Sequence, residues 1–223
     1  ILPDDADVEL IAWDDPEAAW ISRHSMTHVL AQAVLRLFPD AQLAIGPAIE
    51  EGFYYDFDVA EPFTPEDLKN IEKEMKRVVK QNHKFERIDV TREVASDKVA
   101  DAVYKQEILA DLDAGQMLSF YQDGEFVDLC RGPHMLGTGQ VKHFKLLNVA
   151  GAYWRGDESR KMLQRIYGTA WQSKDDLDAY LERLAEIEKR DHRRLGRELD
   201  LFSIQDQVGP GLVFWHPKGA RLR

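Results

Sequence analysis

The apolar pattern of this chain changes period several times, and that most limits what it can fold into. From Ser22 to Phe38, Leu30, Ala33, Val34 and Leu37 recur at helical spacing, with Ser22 as the expected N-cap and Pro39 as a stop. Gly52 to Asp58 then alternates with period two: Phe53, Tyr55 and Phe57 on one face, Tyr54, Asp56 and Asp58 on the other. Helical spacing returns after Thr64-Pro65-Glu66-Asp67, with Leu68, Ile71, Met75, Val78 and Val79 inside and a lysine face (Lys69, Lys73, Lys76, Lys80) outside. Phe85 to Val90 reads as a strand, and Thr91 to about Asp113 as one or two helices ended by Gly115. A hairpin is expected from Met117 to Gln122 and Glu125 to Cys130 around Asp123-Gly124. Lys142 to Tyr153 and Met162 to Tyr167 are strand-like, and Ser173 caps one long charged helix running to about Arg197. Helices mixed with mostly antiparallel strands predict an α+β fold, a sheet packed with helices in two parts, followed by that long helix.

Composition narrows the class. At 44% hydrophobic and 31% charged residues, the balance is that of a globular protein rather than a disordered one. A single cysteine excludes an internal disulfide, and no apolar run approaches the ~20 residues of a membrane span. The acidic N-terminus lacks a signal pattern, so a soluble protein of a reducing compartment is expected. The net charge of −11 argues against unselective nucleic-acid binding. Yet residues 142–165 carry six bases against two acids, a strip that could face a polyanion or simply solvent. Residues 1–20, beginning with Ile and punctuated by Pro3 and Pro16, read as a tail or linker of something upstream. Residues after Asp200 read as the opening of a further domain cut short.

The chemistry concentrates in two spacings. His24-x3-His28 places two imidazoles on one helical face, and Cys130-x3-His134 places a thiol and an imidazole across a Gly-Pro turn. With seven histidines a His-x3-His is unsurprising, but a Cys-x3-His built on the only cysteine is much rarer. Four N/S donors in two pairs suit a tetrahedral metal site. Each pair taken singly reads as core histidine and small buried thiol. Asp128 shares a strand face with Cys130 and could orient a histidine or hold a cationic group. Lys105, between Val103-Tyr104 and Ile108-Leu109, is either exposed or a desolvated lysine. No phosphate-cradling glycine loop and no Gly-x-Ser-x-Gly is present, which leaves hydrolysis by activated water or a metal site.

Four blocks together resemble bacterial-type threonyl-tRNA synthetase. They are Arg23-His-Ser-Met-Thr-His28-Val-Leu-Ala, Ile45 to Phe57, Asp128-Leu-Cys-Arg-Gly-Pro-His134 and Met162 to Trp171. The resemblance covers nearly the whole chain. It implies the end of a preceding small domain and linker in residues 1–20, and an editing domain in 21–172. A linker helix in 173–198 and the truncated start of a class II aminoacylation domain in 199–223 would follow. The implied function is post-transfer editing, the hydrolysis of seryl-tRNA(Thr) in the cytoplasm; the rival is a zinc-stabilised RNA-binding or structural module without hydrolase activity.

The same resemblance implies roles. His24 would position or deprotonate the water, and Lys105 would hold the water or the carbonyl oxygen. Asp128 would bind the substrate's amino group or hydroxyl; His28, Cys130 and His134 would complete the pocket, and Tyr54 or Tyr55 would contact the adenosine. Met26-Thr27 departs from the small residues expected between the two histidines. Editing would need no cofactor. The tetrad would be a zinc site if it follows the related alanyl-tRNA editing domains, while ATP and a catalytic zinc would belong to an aminoacylation domain beyond Arg223. Expected partners are the acceptor end of tRNA(Thr) and the rest of the synthetase, with no membrane. The full-length enzyme is expected to be a homodimer and this fragment a monomer. The lysine face of 69–80 and the strip 142–165 are the expected phosphate contacts.

Overall fold

A computed structural model describes residues 11–113, 115–205, 209 and 211–223. The first ten residues of the expected tail lie outside the described residues. Contacts divide the chain into two units, residues 1–177 and 178–223.

The first unit begins with α1 (Pro16–Leu37), two short strands, β1 (Gln42–Leu43) and β2 (Ala48–Ile49), and the longer β3 (Gly52–Asp58). Next come α2 (Pro65–Gln81), β4 (Phe85–Val90), the short helices α3 (Arg92–Lys98) and α4 (Val103–Asp111), and the hairpin β5 (Leu118–Asp123) and β6 (Phe126–Leu129). Two long strands, β7 (His143–Tyr153) and β8 (Met162–Trp171), complete its sheets, and α5 (Lys174–Lys189) begins in it. β1-β3-β8-β7, with β2 also on β3, form a five-stranded sheet; β4-β5-β6 form a smaller one. Every pairing is antiparallel, so the α+β expectation holds.

α1 begins earlier than the sequence suggested. Asp15 is its N-cap, accepting from the Glu17 amide at 2.8 Å, and Pro16 opens the first turn. Ser22 is interior, and its hydroxyl donates to the Ala19 carbonyl at 2.8 Å. The helix is buried on nearly all sides from Ile21 to Val34, which weakens the one-sided stripe that marks a surface helix. α2 follows its expected capping: Thr64 and Asp67 satisfy each other's backbone amides. Phe53, Tyr55 and Phe57 pack with Ile166 and Ala170 of β8 against α1 and α2, with Met26, Leu30, Ile71 and Met75 in the same core. A second cluster (Ala95, Val99, Leu109, Leu118, Phe120) joins α3 and α4 to the small sheet. On β3's other face Asp56 is buried rather than solvated, because its cross-strand partner Arg165 grips it through two hydrogen bonds of 2.7 and 2.8 Å.

The hairpin turn is shifted by one residue. Asp123 pairs with Phe126, so Gly124 and Glu125 form the loop, with Gly124 at φ 63°. Asp123 is thereby the last residue of β5 and is fully buried.

In the second unit, the expected single helix is two. α5 ends at Lys189, and Asp191 starts α6 (His192–Glu198) by accepting from the Arg193 amide at 2.8 Å. An Asp N-cap competes with helix continuation there. β9 (Phe202–Ile204) pairs with β10 (Val213–Trp215), and α7 (Pro217–Leu222) follows. No helix among the described residues is long and apolar enough to cross a membrane.

Candidate active site

Seven of the eight residues singled out by sequence meet at one cleft of about 320 Å³ or its wall. α1 supplies His24 and His28, one turn apart. The chain just beyond β6 supplies Cys130 and His134. Cys130 is held at the strand end by two bonds: its amide donates to the Ser119 carbonyl at 3.1 Å, and the Ser119 hydroxyl donates to the Cys130 carbonyl at 2.7 Å. The turn that follows needs Gly132, at φ 68° with Tyr121 2.3 Å from where a Cβ would sit.

His24 Nε2 lies 3.1 Å from Cys130 Sγ, and His134 Nε2 lies 3.3 Å from it. One donor atom from each of His24, His28, Cys130 and His134 falls within a sphere of contacts no longer than 4.8 Å. The His134 ring stacks on Phe85, with centroids 4.8 Å apart. Ser25, which sequence reasoning passed over, sets its tautomer. The Ser25 hydroxyl gives its one proton to the Ile21 carbonyl at 2.9 Å and accepts from the Met135 amide at 2.9 Å. Its remaining lone pair faces His134 Nδ1 at 3.2 Å, so His134 carries its proton on Nδ1 and presents a bare Nε2 to the thiol.

Opposite stands a three-member polar network. Lys105 Nζ, on α4, donates to Asp128 Oδ1 at 2.7 Å and to the Tyr55 hydroxyl at 3.2 Å. The Tyr55 hydroxyl in turn donates to Asp128 Oδ2 at 2.7 Å. All three are nearly inaccessible, Lys105 at 6% exposure, which selects the desolvated alternative for that lysine. Tyr55 reaches the site because nothing stands in front of its ring at Gly46: a Cβ there would lie 2.2 Å from it. Tyr54 does not reach the cleft; on the opposite face of β3, the Arg165 guanidinium lies 3.8 Å from its ring centroid.

Burial sets the charge states. It pushes His24 down to about 4 against a weaker opposing pull from Asp128, and holds His28 and His134 well below the usual histidine range. Burial raises the Cys130 thiol to about 11. At neutral pH the tetrad is therefore three neutral imidazoles and a thiol. His28 Nδ1 lies 3.9 Å from Asp123 Oδ1, and neither has a hydrogen-bond partner. Asp123 is the second neighbour of the tetrad that the sequence hides, because an Asp-Gly pair marks a turn.

The tetrad can hold a metal ion. Tetrahedral zinc with bonds of ~2.0–2.3 Å needs ligand atoms roughly 3.3–3.8 Å apart, which three imidazoles and one thiol in this arrangement approach. The thiol would have to lose its proton on binding.

Residues 118–167 match the family model described as the threonyl and alanyl tRNA synthetase second additional domain. The whole chain is similar to proteins called threonine--tRNA ligase. It is 55% identical to that of Clostridium tetani, 57% to that of Geobacter sp. strain M21 and 58% to that of Citrifermentans bemidjiense, over 224 aligned residues each. The alignments take in all of this chain and 35% of each relative. More than half of the residues are identical from end to end, so the whole chain is similar to a segment that makes up about a third of each of these threonine--tRNA ligases.

Proposed function

We propose that the cleft hydrolyses the ester of seryl-tRNA(Thr), removing serine that a threonine-specific enzyme attaches in error. The observation that carries this reading is the juxtaposition of neutral imidazoles with the buried Lys105–Asp128–Tyr55 network in one small cleft. A synthetic site built for threonine gains only about 1–3 kcal/mol from the one methyl that serine lacks, so a second, hydrolytic site is physically needed.

Each group has a task. His24 is neutral throughout the physiological range and accepts a hydrogen bond from the attacking water, orienting it. Lys105 offers the one N–H that Asp128 and Tyr55 leave free to the carbonyl oxygen as negative charge develops there, at a buried position where such a donor is strong. Asp128 holds Lys105 and has lone pairs left on Oδ1 for the substrate's ammonium group. Were zinc bound by the tetrad, it would supply a Lewis acid and a more acidic bound water.

Domain roles follow the same reading. Residues 21–172 form the hydrolytic domain, 173–198 the connector, and 199–223 the start of an aminoacylation domain to which ATP and a second zinc site belong. tRNA(Thr) and the remainder of a cytoplasmic, dimeric synthetase are the partners.

Single-turnover deacylation of seryl- and threonyl-tRNA(Thr) tests this. Selective loss of serine, reduced by at least ~100-fold in Lys105→Ala and indifferent to a chelator, is the expected result. Sensitivity to the chelator would instead place the chemistry on a metal. The convergence of four ligand atoms favours one other reading, a zinc-stabilised structural or RNA-binding module. Such a module has no use for Lys105 or Asp128 in binding RNA, so their replacement by alanine would leave its RNA affinity unchanged while costing stability through the buried partner left behind.

A further inference from the structure

Lys105 enters the cleft from a helix that does little to fix its own position. α4 has nine residues, and its N-cap, Ala102, offers no side-chain hydrogen bond. Its apolar contacts are split: Leu109 packs with the small sheet's cluster, and Tyr104 packs with Ala44, Trp154 and Leu163. Helices this short are unstable alone and take their placement from tertiary contacts.

The polar contacts of α4 to the β7–β8 connection lie on the far side from the cleft. Residue 107 is two positions beyond Lys105, roughly 200° around the helix axis. There the Glu107 carboxylate accepts from the buried Trp154 indole Nε1 at 3.0 Å and from Arg160 Nη2 at 2.8 Å. One turn further, Asp111 is paired with Arg155 at 2.6 Å. Trp154, Arg155 and Arg160 all come from the connection between β7 and β8. The Tyr104 hydroxyl adds a bond to Asp58 of β3 at 2.7 Å. None of these residues lines the cleft.

We infer that Glu107, held by the Trp154 indole and Arg160, is a positioning residue for Lys105. It fixes the rotation of α4 about its axis, and so the place of Nζ against Asp128. A side-chain atom ~6 Å from the axis moves about 1 Å for every ~10° of helix rotation. That shift would separate contacts of 2.7 and 2.8 Å, and misplacement on this scale can cost a reaction ~100-fold. The β7–β8 connection therefore acts on the reaction through the back of α4 without touching substrate.

This inference rests on the hydrolytic reading for its rate effect, but not for its structural one. Three variants separate the cases: Glu107→Ala; Glu107→Gln, which keeps an oxygen for the indole; and Trp154→Phe, which removes only the Nε1–H donor and part of the ring. Two readouts are needed: single-turnover deacylation of seryl-tRNA(Thr), and the NMR resonances of the Lys105 side chain. Glu107→Ala and Trp154→Phe are expected to lower the saturating single-turnover rate constant by about 10–100-fold with the half-saturating enzyme concentration unchanged, and to move the Lys105 Cε and Nζ signals. Glu107→Gln is expected to stay within ~3-fold of wild type, a rescue that charge removal alone would not give. Full activity in Glu107→Ala, or a lost rate with Lys105 signals unmoved in folded protein, overturns the inference. If the wild-type protein deacylates nothing, the hydrolytic reading falls, and the Lys105 signals alone still decide whether Glu107 positions it.

Discussion

Asp123 is fully buried, yet neither of its oxygens has a hydrogen-bond partner. Desolvation, reinforced by Glu125, raises its pKa from 3.8 to about 8. Between those two values the native state holds a proton that the unfolded chain has released. This group's stabilising share is therefore complete below about pH 4 and is lost as pH rises towards 8. Asp123→Asn should accordingly match the wild type in acid and exceed it by about 1–3 kcal/mol at pH 8, read as Tm against pH. A constant difference across pH would show that the carboxyl's ionisation is not the cause. Residues of this kind explain where sequence reading stops. His24, His28, Cys130 and His134 were legible because their types are scarce and their spacings paired. Ser25 and Asp123 were not: a helical serine is commonplace, and an Asp-Gly pair suggests a turn. Only the register, which closes the loop at Gly124-Glu125, puts Asp123 beside His28.

At the scale of elements, the close approach of the Ile45-Gly46-Pro47 segment to β3 controls the cleft. A methyl at Gly46 would lie 2.2 Å from Tyr55 Cδ2, 2.5 Å from its Cε2 and 3.0 Å from Thr27 Cβ. The Tyr55 ring is 1% exposed and stacked on Phe57, so it cannot swing aside without carrying its hydroxyl away from Asp128. Gly46→Ala should therefore lower deacylation by more than ~10-fold while destabilising the fold by about 1–3 kcal/mol. Deacylation rates and denaturant titration check both figures; wild-type activity would mean that the segment gives way instead. Element types were readable wherever a cap and a period agreed, as at α2. Boundaries failed where two start signals competed. Asp15-Pro16 outranked Ser22 for α1, and Asp191 divided what looked like one helix into α5 and α6.

Across the whole molecule, the site draws only on the first unit: α1, β3, α4 and the β5–β6 hairpin with the turn beyond it. A chain ending at Lys189, the last residue of α5, should unfold cooperatively and deacylate seryl-tRNA(Thr) within ~3-fold of the full sequence when substrate saturates. Loss of cooperative unfolding in that shortened chain would show that residues beyond α5 complete the core. The α+β class was legible from alternating periods, but strand order was not, because period two says which face is buried and nothing about which strand is the neighbour. That order has a consequence for how the protein is made. β8 pairs with β3 on one side and β7 on the other, and it is the last strand of the sheet to be synthesised. While a ribosome is still translating residues before Trp171, β3 is paired only with β1 and β2 and lacks its partner on the β8 side. A nascent chain thus carries every cleft residue well before the sheet that arranges them is closed, and the cleft is complete only once synthesis has moved past that strand.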